Sequence, residues 1–218
     1  LQNMASRTSW PWLASRAVIT TVVDSVGSTT ITVLATLASQ TVTGTGTSFA
    51  STDVGRFIQF SSSNDWYKIT AVASATSLTI ETNYALATES GMDFTIRTFM
   101  YNLPSDCHKL FSVRQMRSPA KLTYVDTRMF DVLRPDQTGT GTPRAYYLFY
   151  YNNPSSVTGQ TWAISFDPIP SAAMLMELRY LVRPPSLSVG TDVPILPVIY
   201  HDVLLDGVTY QAMLYTNN

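Results

Sequence analysis

The chain has 218 residues, a formal net charge of -1, 45% apolar residues and only 13% charged residues. The apolar share is enough for a folded core, and so little charge excludes a disordered polyelectrolyte. Near-neutrality lacks the basic excess of a free-standing nucleic-acid binder, and one cysteine excludes an internal disulfide framework and fits a reducing compartment.

In chain order, Leu1, Met4, Ala5 and Thr8 fall at helical spacing and Pro11 ends the pattern. Residues 1 to about 9 therefore read as the last turns of a helix, with more sequence expected upstream. Residues 16–23 are extended and β-branched. From about Asp24 to Arg97 the texture changes to Ser, Thr, Ala and Gly, with short strands predicted at Thr30–Leu34, Gln40–Thr43, Phe57–Phe60, Trp66–Val72, Ser77–Glu81 and Phe94–Arg97. Strands at about ten-residue intervals predict a small barrel or sandwich, near the lower size limit for folding alone.

Longer strands follow at Leu122–Tyr124, Ala145–Tyr151, Thr161–Phe166 and Met174–Val182. In the last, Met174, Met176, Leu178, Tyr180 and Val182 share a face, which predicts one buried side. The Thr-Gly-Thr-Gly-Thr letters of Thr43–Thr47 recur at Thr138–Thr142, and both copies read as flexible hairpin tips. Pro197 suits a first helical position. Ile199, Val203, Leu204, Val208, Ala212 and Tyr215 then form one apolar stripe of a terminal helix. Gly207 inside it costs about 1 kcal/mol relative to alanine, so a bulky group such as Trp10 or Trp12 is expected to approach the backbone there. No run of about 18 apolar residues is present, so no membrane span is expected, and no secretory leader is expected.

Reactive constellations are scarce. Asp106-Cys107-His108 invites a nucleophile or metal reading, but neighbouring strand residues point to opposite faces. No second Cys or His pair supplies zinc-ligand spacing, so a turn after Pro104 is the expected reading. No cofactor is expected. Asp126 with Asp131, or Asp136 with Asp167, could pair as a glycosidase acid and base only at the right separation. No Gly-x-Ser-x-Gly elbow or phosphate loop occurs, and an enzyme is not expected.

The aromatic residues carry more information. Tyr146, Tyr147, Phe149, Tyr150 and Tyr151 make both faces of one strand aromatic, which fits either a core strand or a subunit contact. Trp10-Pro11-Trp12 fits a staple at the helix exit or an anchor on a neighbour. The candidate subunit or portal contacts are Trp10, Trp12, Tyr147, Phe149, Tyr151, Tyr200, His201 and Tyr215.

The ordered series of these features resembles the head-to-tail adaptor (connector) proteins of short-tailed double-stranded DNA phages. The series runs from Trp10-Pro11-Trp12-Leu13 and the Thr-rich strand Ala17–Val23 to Tyr101-Asn102-Leu103-Pro104-Ser105-Asp106. It continues through Leu122-Thr123-Tyr124, Phe130-Asp131, Pro143–Tyr147, Phe166-Asp167-Pro168-Ile169-Pro170 and Arg179–Pro185. Leu187, Asp192, Pro194, Leu196-Pro197 and Tyr200 close it. Cys107-His108 departs from the pattern, standing where a large apolar residue is expected. The block from Asp24 to Arg97 looks like an inserted β module.

The expected fold is α+β and mainly β: an antiparallel β-sandwich with N- and C-terminal helices packed together, formed by 1–23 and 98–218, plus an inserted β-barrel or sandwich at 24–97. The resemblance implies a non-enzymatic virion protein in a homo-oligomeric ring of twelve copies. Its implied partners are the portal and the tail, nozzle or tail-fibre proteins, with double-stranded DNA passing through the lumen without sequence-specific binding. An alternative is a tail-fibre component that binds a receptor or glycan through Trp66 and Tyr67.

Overall fold

The computed structural model describes residues 11–27, 30–116, 118, 120–133, 139–152, 160–186 and 188–216. The expected N-terminal helix, Trp10, Asp136 and Leu187 lie outside these. Strand β1 (Ala14–Thr20) comes first. It is followed by β2 (Ser25–Val26), β3 (Thr32–Ala35), β4 (Thr41–Thr45), β5 (Phe57–Phe60), β6 (Trp66–Ser74), β7 (Ser77–Ile80), β8 (Glu89–Met92) and β9 (Phe94–Arg97). Then come β10 (Tyr101–Asn102), β11 (Cys107–Gln115), β12 (Thr123–Tyr124) and helix α1 (Thr127–Leu133). The last elements are β13 (Thr140–Gly141), β14 (Ala145–Asn152), β15 (Gln160–Asp167), β16 (Ile169–Pro170), β17 (Leu175–Val182) and helix α2 (His201–Thr216). The fold is mainly β with a C-terminal helix.

β2 to β9 form one eight-stranded sheet in the order β2-β9-β5-β6-β7-β4-β3-β8. Its pairs are antiparallel. β3, β5 and β7 alternate half-buried with buried residues. Their inward side chains, with Val42, Tyr67, Ile69, Phe94 and Ile96, meet in a single cluster. All strands of the sheet but β2, whose two residues are exposed, contribute to this core. Phe60 lies at its centre, with Tyr67 and Tyr84 rings 5.6 and 5.4 Å away.

In their described residues, neither Thr-Gly-Thr-Gly-Thr tract is a hairpin tip. The first runs along β4, where Gly44 pairs with Val33, and the second supplies β13, which pairs in parallel with β16. Gly44 is needed for space. A Cβ there would sit 2.5 Å from Cγ2 of Thr47, a buried residue whose hydroxyl donates to the Ala75 carbonyl at 2.8 Å. Gly44→Ala should therefore cost about 1–3 kcal/mol, as other overpacking substitutions do. Denaturant melting of the variant measures it, and an unchanged midpoint would refute the crowding.

A four-stranded sheet has the order β10-β15-β14-β12. β14 and β15 pair antiparallel over eight residues, while β12 joins β14 in parallel. β1, β17 and β11 form a three-stranded sheet in that order. The single buried face expected for β17 is corrected. Met176, Leu178 and Tyr180 are buried, but so are Glu177 and Leu181 on the other face. Glu177 can be buried because Arg16 and Arg179 approach its Oε1 at 3.7 and 3.5 Å, and a buried charge requires such partners.

Contacts divide the chain into two compact units. One comprises the described parts of Leu1–Ala17, Pro104–Val113 and Glu177–Asn218. The other comprises those of Val18–Leu103 and Arg114–Met176.

Candidate assembly surfaces

In the first unit, Leu13 and Leu181 are buried against Trp12, and the Trp12 ring stacks on Tyr200 at 5.5 Å. The turn at Ser105-Asp106 is tied to β17 and the residue beyond it. The Asp106 carbonyl accepts the Arg183 N–H at 2.7 Å, and its carboxylate accepts the Tyr180 hydroxyl at 3.2 Å. Burial pushes the Tyr180 phenol up from its ordinary value, and the nearby Asp106 charge adds to the shift.

Helix α2 is the unusual element. His201 is half-buried, with Nε2 2.9 Å from the Leu196 carbonyl, and Leu204 is half-buried. Asp202, Val203 and every residue from Leu205 to Tyr215 are exposed. Val203, Leu205, Val208, Tyr210, Met213, Leu214 and Tyr215 are all at least half exposed, Tyr215 at 84%. At 100° per residue these positions surround the helix instead of forming the one expected stripe. At Gly207 a Cβ would meet nothing within 4 Å among the described residues, so Trp12 does not approach the backbone there, and Trp10 lies outside them.

In the second unit, the aromatic strand β14 divides by position. Tyr146 and Tyr147 are buried, and Tyr147 stacks on Phe130 of α1 at 4.1 Å. Phe149 is half-buried, 6.0 Å from the Tyr147 ring. The backbone of Tyr151 belongs to β14, and its side chain lies outside the described residues. The exposed aromatic pair is one that residue-by-residue reading missed: Tyr150 and Trp162, 51% and 42% exposed, with rings 4.9 Å apart. Their opposition follows from the β14–β15 register, which pairing of the two aromatic strands could have revealed.

The Cys107-His108 pair opens a strand, and Asp136 of the carboxylate pairs lies outside the described residues. Cys107 is half-buried and His108 is exposed, and both begin β11. Burial, then the Asp106 charge, pushes the Cys107 thiol up to about 11. The nucleophilic thiolate is therefore suppressed at neutral pH. Alkylation by iodoacetamide should be slow at pH 8 in the native chain and should accelerate steeply only towards pH 11. Fast native labelling at pH 8 would refute this. The sign of the linkage follows: the folded value lies above the ordinary 9.0, so this group's contribution to stability is complete below pH 9 and is lost as pH rises towards 11.

The Asp126 carboxylate is committed to α1, where Oδ1 accepts the Arg128 N–H at 3.0 Å. Among the described residues, no group of three or more His, Cys, Asp or Glu could hold a metal ion, and no helix is long and apolar enough to cross a membrane. A crevice of about 510 Å³ is lined by Val22, Val54, Arg56, Lys68, Glu81 and Tyr101, with Lys68 and Glu81 paired at 3.7 Å. The two aromatics of the glycan alternative offer no platform. Tyr67 is buried in the core, and Trp66 is half-buried with its ring at 90° to Phe99.

No curated protein and no solved structure matches the chain. A family model described as SU10 adaptor protein matches residues 5–218. Nearly the whole sequence is covered, including both compact units, and the chain belongs to the SU10 adaptor protein family of phage structural adaptors, which is not an enzyme family.

Proposed function

We propose that twelve copies of this chain form a ring beneath the portal, bridge it to the tail, nozzle or tail-fibre proteins, and enclose the channel through which double-stranded DNA passes. The observation that carries this reading is helix α2, whose apolar residues are exposed all round. A helix of this pattern is stable when surrounded, and a lone helix of 16 residues is marginal in water. Neighbouring copies or the portal supply the cover, with Tyr200, His201 and Tyr215 among the contacts and Phe149 on a second surface. Tyr147 serves the core.

Charge supports the same role. No Lys or Arg follows Arg183, while Asp192, Asp202 and Asp206 do. The helix therefore suits an apolar site with a basic rim. A wall of near-neutral subunits also avoids the dense phosphate contacts that would hold DNA in place. A heterologous contact that closes on itself gives a ring. Assembly takes place in the host bacterial cytoplasm, and the finished ring lies in the virion neck.

Mixing the purified chain with purified portal rings tests the proposal by co-sedimentation. The chain should move with the portal fraction, and variants with Val208→Asp or Tyr215→Asp should remain at the top of the gradient. A wild-type chain that stays in the light fractions at micromolar concentrations with portal present would contradict it.

A further inference from the structure

We propose that Arg56 and Arg97 form a clamp at the root of the eight-stranded sheet, making that sheet and the chain segments entering and leaving it open as one mechanical piece. The root is where the chain enters through Val23, Asp24 and Ser25 and leaves through Ile96, Arg97 and Thr98. Ser25 lies opposite Ile96 in the β2–β9 pair, so the two crossings run side by side.

Arg56 is 7% exposed and reaches both crossings. Its Nη2 donates to the Val23 carbonyl at 2.9 Å and to the Ile96 carbonyl at 3.0 Å. Nε donates to the Thr98 hydroxyl at 3.0 Å, and Nη1 donates to Asp53 Oδ1 at 2.7 Å and, more weakly, to Ser25 Oγ at 3.5 Å. One side chain thus holds both strands from within the sheet. Arg97 forms the second bolt. Its Nε and Nη2 donate to Asp24 Oδ2 at 2.9 and 2.8 Å, joining the leaving strand to the entering one. The same guanidinium lies over the Trp66 ring at 5.1 Å. Trp66 and Phe57 in turn pack against Phe99 at 4.9 and 5.3 Å.

The charges balance locally, with two guanidinium groups facing two carboxylates. The planar fork of arginine suits this task, since it fixes several acceptors in one plane where a lysine would supply a point charge. Removing either arginine strands buried acceptors, which is what makes the clamp strong. Asp24 Oδ1 is buried without a hydrogen-bond partner, so the second bolt depends wholly on Oδ2. A root built this way holds the module's outer face at a fixed position against the strands it grows from. A Gly- or Ser-rich tether would let it swing.

Amide hydrogen exchange on the full chain tests the clamp, with two variants. Arg56→Met removes the first bolt. The double change Asp24→Leu with Arg97→Met removes the second without leaving either charge buried alone. In each, the amides of Val22 and Gly27 at the root should exchange at least about tenfold faster. Those of Val42 and Ile80 inside the sheet should keep their wild-type rates, and the single melting transition should split in two. Root amides that exchange at wild-type rates would overturn the proposal. So would a uniform acceleration of all amides, which would make the arginines ordinary contributors to global stability. Failure of both variants to fold would overturn it too, because the clamp joins parts that fold without it.

Discussion

A chain ending at Tyr200 is expected to melt within about 0.5 kcal/mol of the full chain, as substitutions of exposed residues do, and yet to lose all association with the portal. Tyr200 is kept because its ring stacks on Trp12. Beyond it, among the described residues, only His201 and Leu204 are half-buried, so little of the described fold depends on α2. On the proposed reading, assembly depends on it heavily. Covering five large apolar side chains of α2 would supply on the order of 10 kcal/mol. Association of one copy costs about 4–15 kcal/mol in lost freedom. A single helix contact is thus close to balance, and many linked contacts in a closed ring make the attachment firm. Melting and co-sedimentation of the truncated chain, run together, separate the two effects. A truncated chain that still joins the portal would remove α2 from the interface.

Phe60→Ala should unfold or severely weaken the eight-stranded sheet, with a cost of about 3–5 kcal/mol. The side chain is 1% exposed and its ring touches those of Tyr67 and Tyr84. A unit of this size has only one core to lose. Replacing all of residues 24–97 by a short Gly/Ser linker from Val23 to Thr98 should do less harm to the remainder. The two ends already run side by side, and although the deletion removes the Arg56 contacts to Val23 and Thr98, further contacts that anchor the flanking strands lie outside the block. The Thr21 hydroxyl donates to the Ala172 carbonyl and accepts the Met174 N–H, both at 2.8 Å. The Tyr101 hydroxyl accepts the Val22 N–H at 3.1 Å, and Ser165 Oγ donates to the Phe99 carbonyl. Circular dichroism melting of the deleted chain should remain cooperative, and a chain without a transition would show that the block is integral.

The parts of the fold legible in the sequence are the runs rich in β-branched and aromatic residues bounded by turn residues. β5 and β9 have the predicted bounds, and β14, β15 and β17 lie within one residue of theirs. β8 was illegible because Glu89-Ser90-Gly91-Met92 has no apolar period and Gly91 has φ of 75°. The sequence at β11 shows a turn only, because its first residues, Cys107-His108-Lys109, carry no strand pattern. The turn is there, at Ser105-Asp106, but the strand begins immediately after it. α1 is too short for helical periodicity to show, although Asp126 before Thr127 is the kind of residue that starts a helix. Burial of Glu177 could not be read locally, since one of its cations, Arg16, is far away in the chain.

The candidate contacts divide by the same logic. Periodicity located α2 but not its exposure, because on the proposed reading the cover for an all-round apolar helix comes from neighbouring copies or the portal. On β14 the aromatic run was visible, while the choice between core and surface depended on Phe130 and Trp162, which come from other elements.

Electron cryo-microscopy of assembled particles, with density for this chain identified in place, tests the central claim most directly. The account predicts twelve copies in one closed ring at the neck, in contact with the portal above and tail proteins below, with α2 enclosed by protein on all sides. A chain found only at the distal tail tip, or present as isolated copies with α2 facing solvent, would contradict it.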